Sequence, residues 1–353
     1  MPVDTAEGER MERVVIVSAR VGAGHDGAAR ELARRLTERG IRVSRVDFLD
    51  LLPGRLGRAL CGAYHRQLEI APRSWDWLLG ALGSPAPAAA ARRFAALAAP
   101  GLAEAAGDTQ LVLSTYPLAT HAAARLRARG RLEPALVAYL TDPSVHRLCV
   151  SRWADLTIAP NEIAAQQARA FGAVRTLVTP PLVGPAFRPV TGTAERARLR
   201  LAHGLPADRP LALVVSGSWG VGEVERTVAD LVTDGATEPV VVCGRNDALR
   251  ARLERAGLRH VFGWVDTMAD LMRACDVVVQ NAGGLTTSEA LATGLPVLTY
   301  RCLPGHGRAN AAVLDQDGTV PWVRSPDGLG EAVRAALATG PVTSMAWPVE
   351  VAG

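Results

Sequence analysis

Residues 13–47 read RVVIVSARVGAGHDGAARELARRLTERGIRVSRVD. Arg13 to Ser18 is a short apolar strand, and Val21 to His25 is a turn carrying two glycines. A helix is expected from about Asp26 to Arg39, Gly40 is a suitable stop, and a second strand covers Ile41 to Asp47. This strand, helix, strand opening predicts a parallel sheet covered by helices. In such sheets ligands collect beyond the carboxyl ends of the strands.

Outward from this stretch the rhythm lapses between Leu51 and Gly107, where Pro53, Pro72, Pro85, Pro87 and Pro100 break helical segments. It returns with strands at Leu111–Ser114, Leu136–Leu140, Asp155–Ala159 and Arg175–Val178. Pro180, Pro181, Pro185 and Pro189 then interrupt it, which sets a domain boundary near residue 185. The second half restarts like the first, with a strand at Leu211–Ser216, a loop through Gly217, Gly220 and Gly222, and a helix. Strands near Pro239–Cys243, His260–Phe262, Asp276–Val279, Pro296–Tyr300 and Thr319–Pro321 continue the alternation. The expected fold is α/β: two Rossmann-like domains, 13–185 and 186–340, facing across a cleft, with 1–12 and 341–353 as terminal segments.

The 353 residues are 48% hydrophobic and 21% charged, enough apolar surface for a large core. Lys and Arg exceed Asp and Glu by only four, and the arginines are spread singly along helices, so a nucleic-acid partner is disfavoured. Five separated cysteines lack metal-ligand spacing and read as reduced thiols. No run approaches the roughly 20 apolar residues of a membrane span, and the polar start MPVDTAEGER has no signal-peptide core. The expected location is cytoplasmic, with contact to the inner face of a membrane from one side.

Three stretches carry the chemistry. In the first, Gly22 and Gly24 let a ligand approach the backbone, and helix-start amides favour negative charge. Its glycine spacing is not the dinucleotide fingerprint, so NAD is disfavoured. His25 there reads either as a group that takes a proton from a hydroxyl or as a local helix cap. In the second, Ser216 to Gly222, with Gly217, Ser218, Trp219 and Gly220, forms either an anion cradle or a tight unliganded turn. It lacks the lysine and hydroxyl ending of an ATPase loop. The third runs from Asn281 through Gly283, Gly284, Thr286, Thr287 and Glu289 to Pro296, then Pro304, Gly305, His306 and Asn310. Its amides and threonine hydroxyls suit phosphate oxygens, and the Glu289 carboxylate suits two ribose hydroxyls, against the plainer reading of a solvated acid.

The order and spacing of several pieces resemble the monogalactosyldiacylglycerol synthase and processive diacylglycerol glucosyltransferase family. More distantly they resemble the bacterial transferase that adds N-acetylglucosamine to peptidoglycan lipid precursor. The pieces are Gly22-x-Gly24-His25, Glu69 to Trp75, Ser114 to Pro117, Thr141-Asp142 with His146 and Trp153, Gly217 to Gly222, Gly283 to Ala290, and Pro304-Gly305 with Asn310. The resemblance implies a GT-B glycosyltransferase that inverts the anomeric centre without a metal or cofactor. It implies a donor, expected to be a UDP-sugar, in the second domain and a lipid or hydrophobic acceptor in the first. His25 or Asp142 would remove the acceptor proton. Gly217, Ser218, Trp219, Gly220, Gly283, Gly284, Thr286, Thr287, Glu289, Pro304, Gly305, His306 and Asn310 would hold the donor.

Gly24, Tyr64, Trp75, Trp77, His146 and Trp153 are the acceptor-side candidates. With arginines such as Arg58, Arg92 and Arg93 nearby, their region suits an anionic membrane surface, or simply packs on the sheet. One departure stands out. The family usually has glutamine and glutamate after the Pro-Gly pair, where this chain has His306 and Gly307. That departure keeps open a non-catalytic nucleotide-sugar-binding protein, beside a soluble transferase acting on a small natural product.

Overall fold

The computed structural model describes residues 11–70 and 84–340, with the side chains of 64–70 and 85 outside that set. The chain forms two compact units that meet in sequence between Leu182 and Val183. In the first, a six-stranded sheet has the order β2-β1-β3-β4-β5-β6. Its strands are β1 (Arg13–Ser18), β2 (Arg42–Asp47), β3 (Leu111–Ser114), β4 (Ala135–Tyr139), β5 (Leu156–Ala159) and β6 (Thr176–Val178). Every neighbouring pair is parallel. The helices are α1 (Ala23–Glu38), α2 (Leu56–Ile70), α3 (Pro85–Ala95), α4 (Ala99–Ala106), α5 (Pro117–Arg127) and α6 (Glu162–Ala170).

The run Val14 to Val17 is buried on both faces because successive strand residues point to opposite layers. Val15 and Val17 pack with Phe48, Leu102, Ala122 and Leu126, under α4 and α5. Val14 and Ile16 pack with Ala28 and Ala29 of α1. Each such side chain contributes on the order of 1.5–3 kcal/mol by leaving water. The strand that delivers the first glycine turn is therefore held from both sides.

The second unit repeats the plan, with order β12-β11-β10-β7-β8-β9 and all neighbours parallel. Its strands are β7 (Leu211–Val215), β8 (Glu238–Val242), β9 (Val261–Phe262), β10 (Val277–Gln280), β11 (Val297–Tyr300) and β12 (Trp322–Val323). Its helices are α7 (Thr193–Ala202), α8 (Val224–Asp234), α9 (Asp247–Arg255), α10 (Met268–Ala274), α11 (Leu285–Ala292), α12 (His306–Gln316) and α13 (Leu329–Thr339). Alternate strand residues again divide. Ala212, Val214, Val277 and Val279 face one layer, and Leu211, Leu213, Val215 and Val278 face the other.

Two elements differ from expectation by more than one residue at a boundary. Helix α1 begins at Ala23, three residues earlier, because Gly22 supplies the extended N-cap backbone (φ −163°, ψ 155°) without a side-chain cap. Gly24 and His25 thus sit in the first turn of α1. The last strand lies at Trp322–Val323 rather than Thr319–Pro321. The reason is the end of α12: Gly318 turns with φ +73°, and the amides of Thr319 and Val320 both donate to the Leu314 carbonyl. Those residues close the helix, so pairing with β11 starts only after them.

Candidate active site

In the first unit the strand order reverses at β1, so the loops after β1 and β3 flank a topological switch point. His25 enters from the β1 side. Its Nδ1 lies 2.6 Å from the Thr115 carbonyl oxygen, on the loop after β3. A carbonyl only accepts, so Nδ1 carries the hydrogen and the ring lone pair belongs to Nε2. Thr141, on the loop after β4, brings its hydroxyl to 3.1 Å from the same Nδ1. The Thr115 hydroxyl donates back to the His25 carbonyl at 3.1 Å. The Tyr116 ring meets the imidazole edge-on, with centroids 5.3 Å apart, and itself packs on fully buried Phe48.

The N-cap of α1 is Gly22, not His25. Asp142 follows Thr141 on the same loop and is partly buried. Gly24 has nothing within 4 Å of where a side chain would start, so the backbone there is open to approach. His146 accepts from the Leu148 amide at 3.2 Å and caps the short turn Arg147–Cys149. Its neighbour His121, in α5, donates from Nε2 to the Leu148 carbonyl at 2.9 Å, and burial pushes its pKa down to about 4. Trp153 is 41% exposed, with the Arg152 guanidinium 5.5 Å from its ring centre. Trp75, Trp77 and the side chain of Tyr64 lie outside the described residues.

In the second unit the order reverses at β7, and the glycine loops follow β7, β10 and β11 at the same carboxyl edge. The β7 loop is tied to the β8 loop. Arg245 N donates to the Ser218 carbonyl at 2.9 Å, and Asn246 Nδ2 donates to the Gly220 carbonyl at 3.0 Å. Gly220 has φ +57°, and a Cβ there would sit 2.3 Å from the Cys243 carbonyl oxygen. The β7 loop is also tied to the β10 loop, through Asn281 Nδ2 donating to the Val221 carbonyl at 2.8 Å. The first amides of α11 and α12 lie outside their own helical ladders and carry partial positive charge toward this edge.

Gln280 Oε1 accepts from the amides of Ala282 and Gly283 at 2.7 and 2.5 Å, which fixes the turn into α11. Glu289 is partly buried one turn into that helix, and Thr286 is partly buried ahead of it. One donor-side expectation changes. Asn310 is fully buried and donates to the Ala282 carbonyl at 3.0 Å, so it shapes the β10 loop from beneath rather than meeting a ligand. The Thr287 hydroxyl is buried without a hydrogen-bond partner.

Gly307 now has a steric reason. A Cβ there would stand 2.9 Å from the Asn281 carbonyl oxygen and 3.0 Å from Leu303 Cβ, so α12 approaches the β10 loop too closely for a side chain. His306 opens α12 after Gly305, whose φ is +73°. Two features escaped the sequence reading. Arg301, with φ +46°, bonds Asp230 and Glu223 of the β7 side and sets the course of the β11 loop. Arg245 lies 4.4 Å from the ring centre of half-exposed Trp264 and 5.5 Å from that of Trp219. Trp264 Nε1 is anchored to Asp266 at 2.8 Å. A lone tryptophan just past a strand end was the available signal.

No family model matches the chain. It is 26% identical over 235 residues to a processive diacylglycerol beta-glucosyltransferase of Bacillus subtilis, covering 65% of this chain and 60% of that one. It is 24% identical over 364 residues to monogalactosyldiacylglycerol synthase 1 of Arabidopsis thaliana, covering 94% of this chain and 66% of the relative. The chain thus spans about two thirds or less of the length of these two relatives. Among solved structures, MurG of Acinetobacter baumannii superposes with a TM-score of 0.55 at 16% identity, over 92% of this chain and 90% of that one. Anabaena HepE, solved with UDP and glucose, gives 0.57 at 17% identity, over 94% and 89%. The fold is therefore GT-B, with two α/β units, and the sequence is similar to diacylglycerol glucosyltransferases and monogalactosyldiacylglycerol synthases.

Proposed function

We propose that this chain is a glycosyltransferase that moves a sugar from a UDP-sugar to a lipid acceptor of the diacylglycerol type, with inversion at the anomeric carbon. The observation that carries this reading is the likeness, over 94% of the chain, to an enzyme named for galactosyl transfer to diacylglycerol. The His25 geometry supports it, since a fixed imidazole with its lone pair on Nε2 is suited to take the proton of an acceptor hydroxyl. As that oxygen bonds the anomeric carbon, the bond to the diphosphate breaks and the electron pair leaves with the nucleotide. The glycine loops and first-turn amides at the β7, β10 and β11 ends are suited to the charge that develops there.

Glu289 is the proposed ribose contact, Asp142 a second proton-handling group, and Trp264 with Arg245 a face for the base. The structure solved with UDP and glucose supports a uridine donor. For the acceptor, Leu56 and Leu97 are 41% and 45% exposed on the first unit, which carries exposed Arg58, Arg92 and Arg93. Apolar side chains and arginines suit a lipid surface with anionic headgroups. Native mass spectrometry with UDP-, GDP-, ADP- and TDP-sugars and the free diphosphates tests the donor side. Selective retention of a UDP-sugar is expected. A folded sample that retains none of them would overturn it.

A further inference from the structure

The first turn of α1 meets the loops after β3 and β4 at one nitrogen. His25 Nδ1 meets the Thr115 carbonyl at 2.6 Å and the Thr141 hydroxyl at 3.1 Å, while Thr115 Oγ1 secures the His25 backbone at 3.1 Å. The Tyr116 ring edge and the buried Phe48 behind it leave the imidazole little room to rotate. We propose that Thr141 is a positioning residue. Together with the Thr115 carbonyl it holds His25 as the Nδ1–H tautomer, so that Nε2 alone presents a lone pair. Its place in turnover rests on the glycosyl-transfer reading above; the tautomer does not.

Neutral histidine in water prefers its hydrogen on Nε2, which would leave the basic lone pair turned toward the protein. The Thr115 carbonyl, which can only accept, reverses that preference, and once Nδ1 carries the hydrogen the Thr141 hydroxyl can turn a lone pair to it as a second, longer acceptor. When Nε2 takes the proton of an attacking hydroxyl, the positive charge spreads to Nδ1–H, where both acceptors stabilise it. The same pair therefore sets the tautomer before the step and supports the imidazolium during it. Charged and ionisable groups lie on the surrounding elements among the described residues. Asp26 is paired with Arg30 and Arg45, Arg20 with Asp47 and Asp50, Tyr116 lies at the ring edge, and Asp142 adjoins Thr141.

The test uses the full chain labelled with 15N at histidine. Two-bond correlation spectra at alkaline pH are expected to show His25 with hydrogen on Nδ1. Thr141→Val keeps the shape and removes the hydroxyl. It is expected to weaken the tautomer ratio and lower kcat about three- to tenfold, the size of one neutral hydrogen bond, with donor KM unchanged. Thr141→Ser is expected to restore both. Hydrogen on Nε2 in the wild type, or a Thr141→Val protein with unaltered spectrum and kcat, overturns the proposal. If the spectra behave as expected but no donor is turned over, the transfer reading falls and the clamp on His25 stands.

Discussion

The β7 loop contains an internal control for how it is held. Gly217 and Gly220 have similar left-handed backbones, φ +70° and +57°, but differ in surroundings. A Cβ on Gly217 meets nothing within 4 Å, whereas one on Gly220 would lie 2.3 Å from the Cys243 carbonyl oxygen and 2.9 Å from Asn246 Cβ. Gly217→Ala should therefore cost only the left-handed strain, about 1–2 kcal/mol. Gly220→Ala adds displacement of the β8 loop, about 1–3 kcal/mol more on the scale of overpacking. At roughly 2–4 °C per kcal/mol for a domain of this size, the Gly220 variant should melt about 2–12 °C below the Gly217 variant. Calorimetry of the two proteins beside wild type measures this, with UDP titration as a second readout that the Gly220 change should weaken more. Equal melting points would refute the claim that the β7 and β8 loops are locked by close approach.

Glu289→Ala should weaken UDP-sugar binding about tenfold or more through loss of a charged acceptor, read by titration calorimetry; unchanged affinity would remove the ribose assignment. His25→Ala should lower kcat about 10²–10⁴-fold while donor affinity holds, and near-normal turnover by a folded variant would exclude it as the base. His121 gives a pH test. Its folded pKa of about 4 lies below the ordinary value of 6.5, so the unfolded chain binds the extra proton. Its contribution is complete above pH 6.5 and is lost as pH falls toward 4, about 2 kcal/mol at pH 5. Urea unfolding of wild type and His121→Gln between pH 7 and pH 5 should show a steeper decline for wild type, and parallel declines would contradict the burial argument.

Strand positions were legible because runs such as Val14–Val17 and Val277–Val279 must be apolar on both faces to lie between two helical layers. The strand expected at Thr319–Pro321 was misplaced because apolarity does not reveal that two amides are already committed to closing α12. At the site, residue types were readable but partners were not. His25 stands out beside its glycines, yet the residues that orient it lie 90 and 116 positions away. Asn310 belonged to a recognisable stretch, and only the fold shows that it supports the loop from beneath. His306 and Gly307 looked like the loss of a contact. The packing of α12 against Asn281 shows Gly307 as a position where a side chain would press on the Asn281 carbonyl.

The proposed reaction transfers a sugar from a UDP-donor to diacylglycerol. The direct measurement incubates the purified chain with α-linked UDP-glucose, UDP-galactose or UDP-N-acetylglucosamine and vesicles containing diacylglycerol and anionic phospholipid. Products are then identified by mass spectrometry and NMR. The expected result is a β-linked glycosyl diacylglycerol from at least one donor, absent with His25→Ala. A folded protein that binds UDP-sugar yet forms no glycolipid with any of these donors would contradict the account.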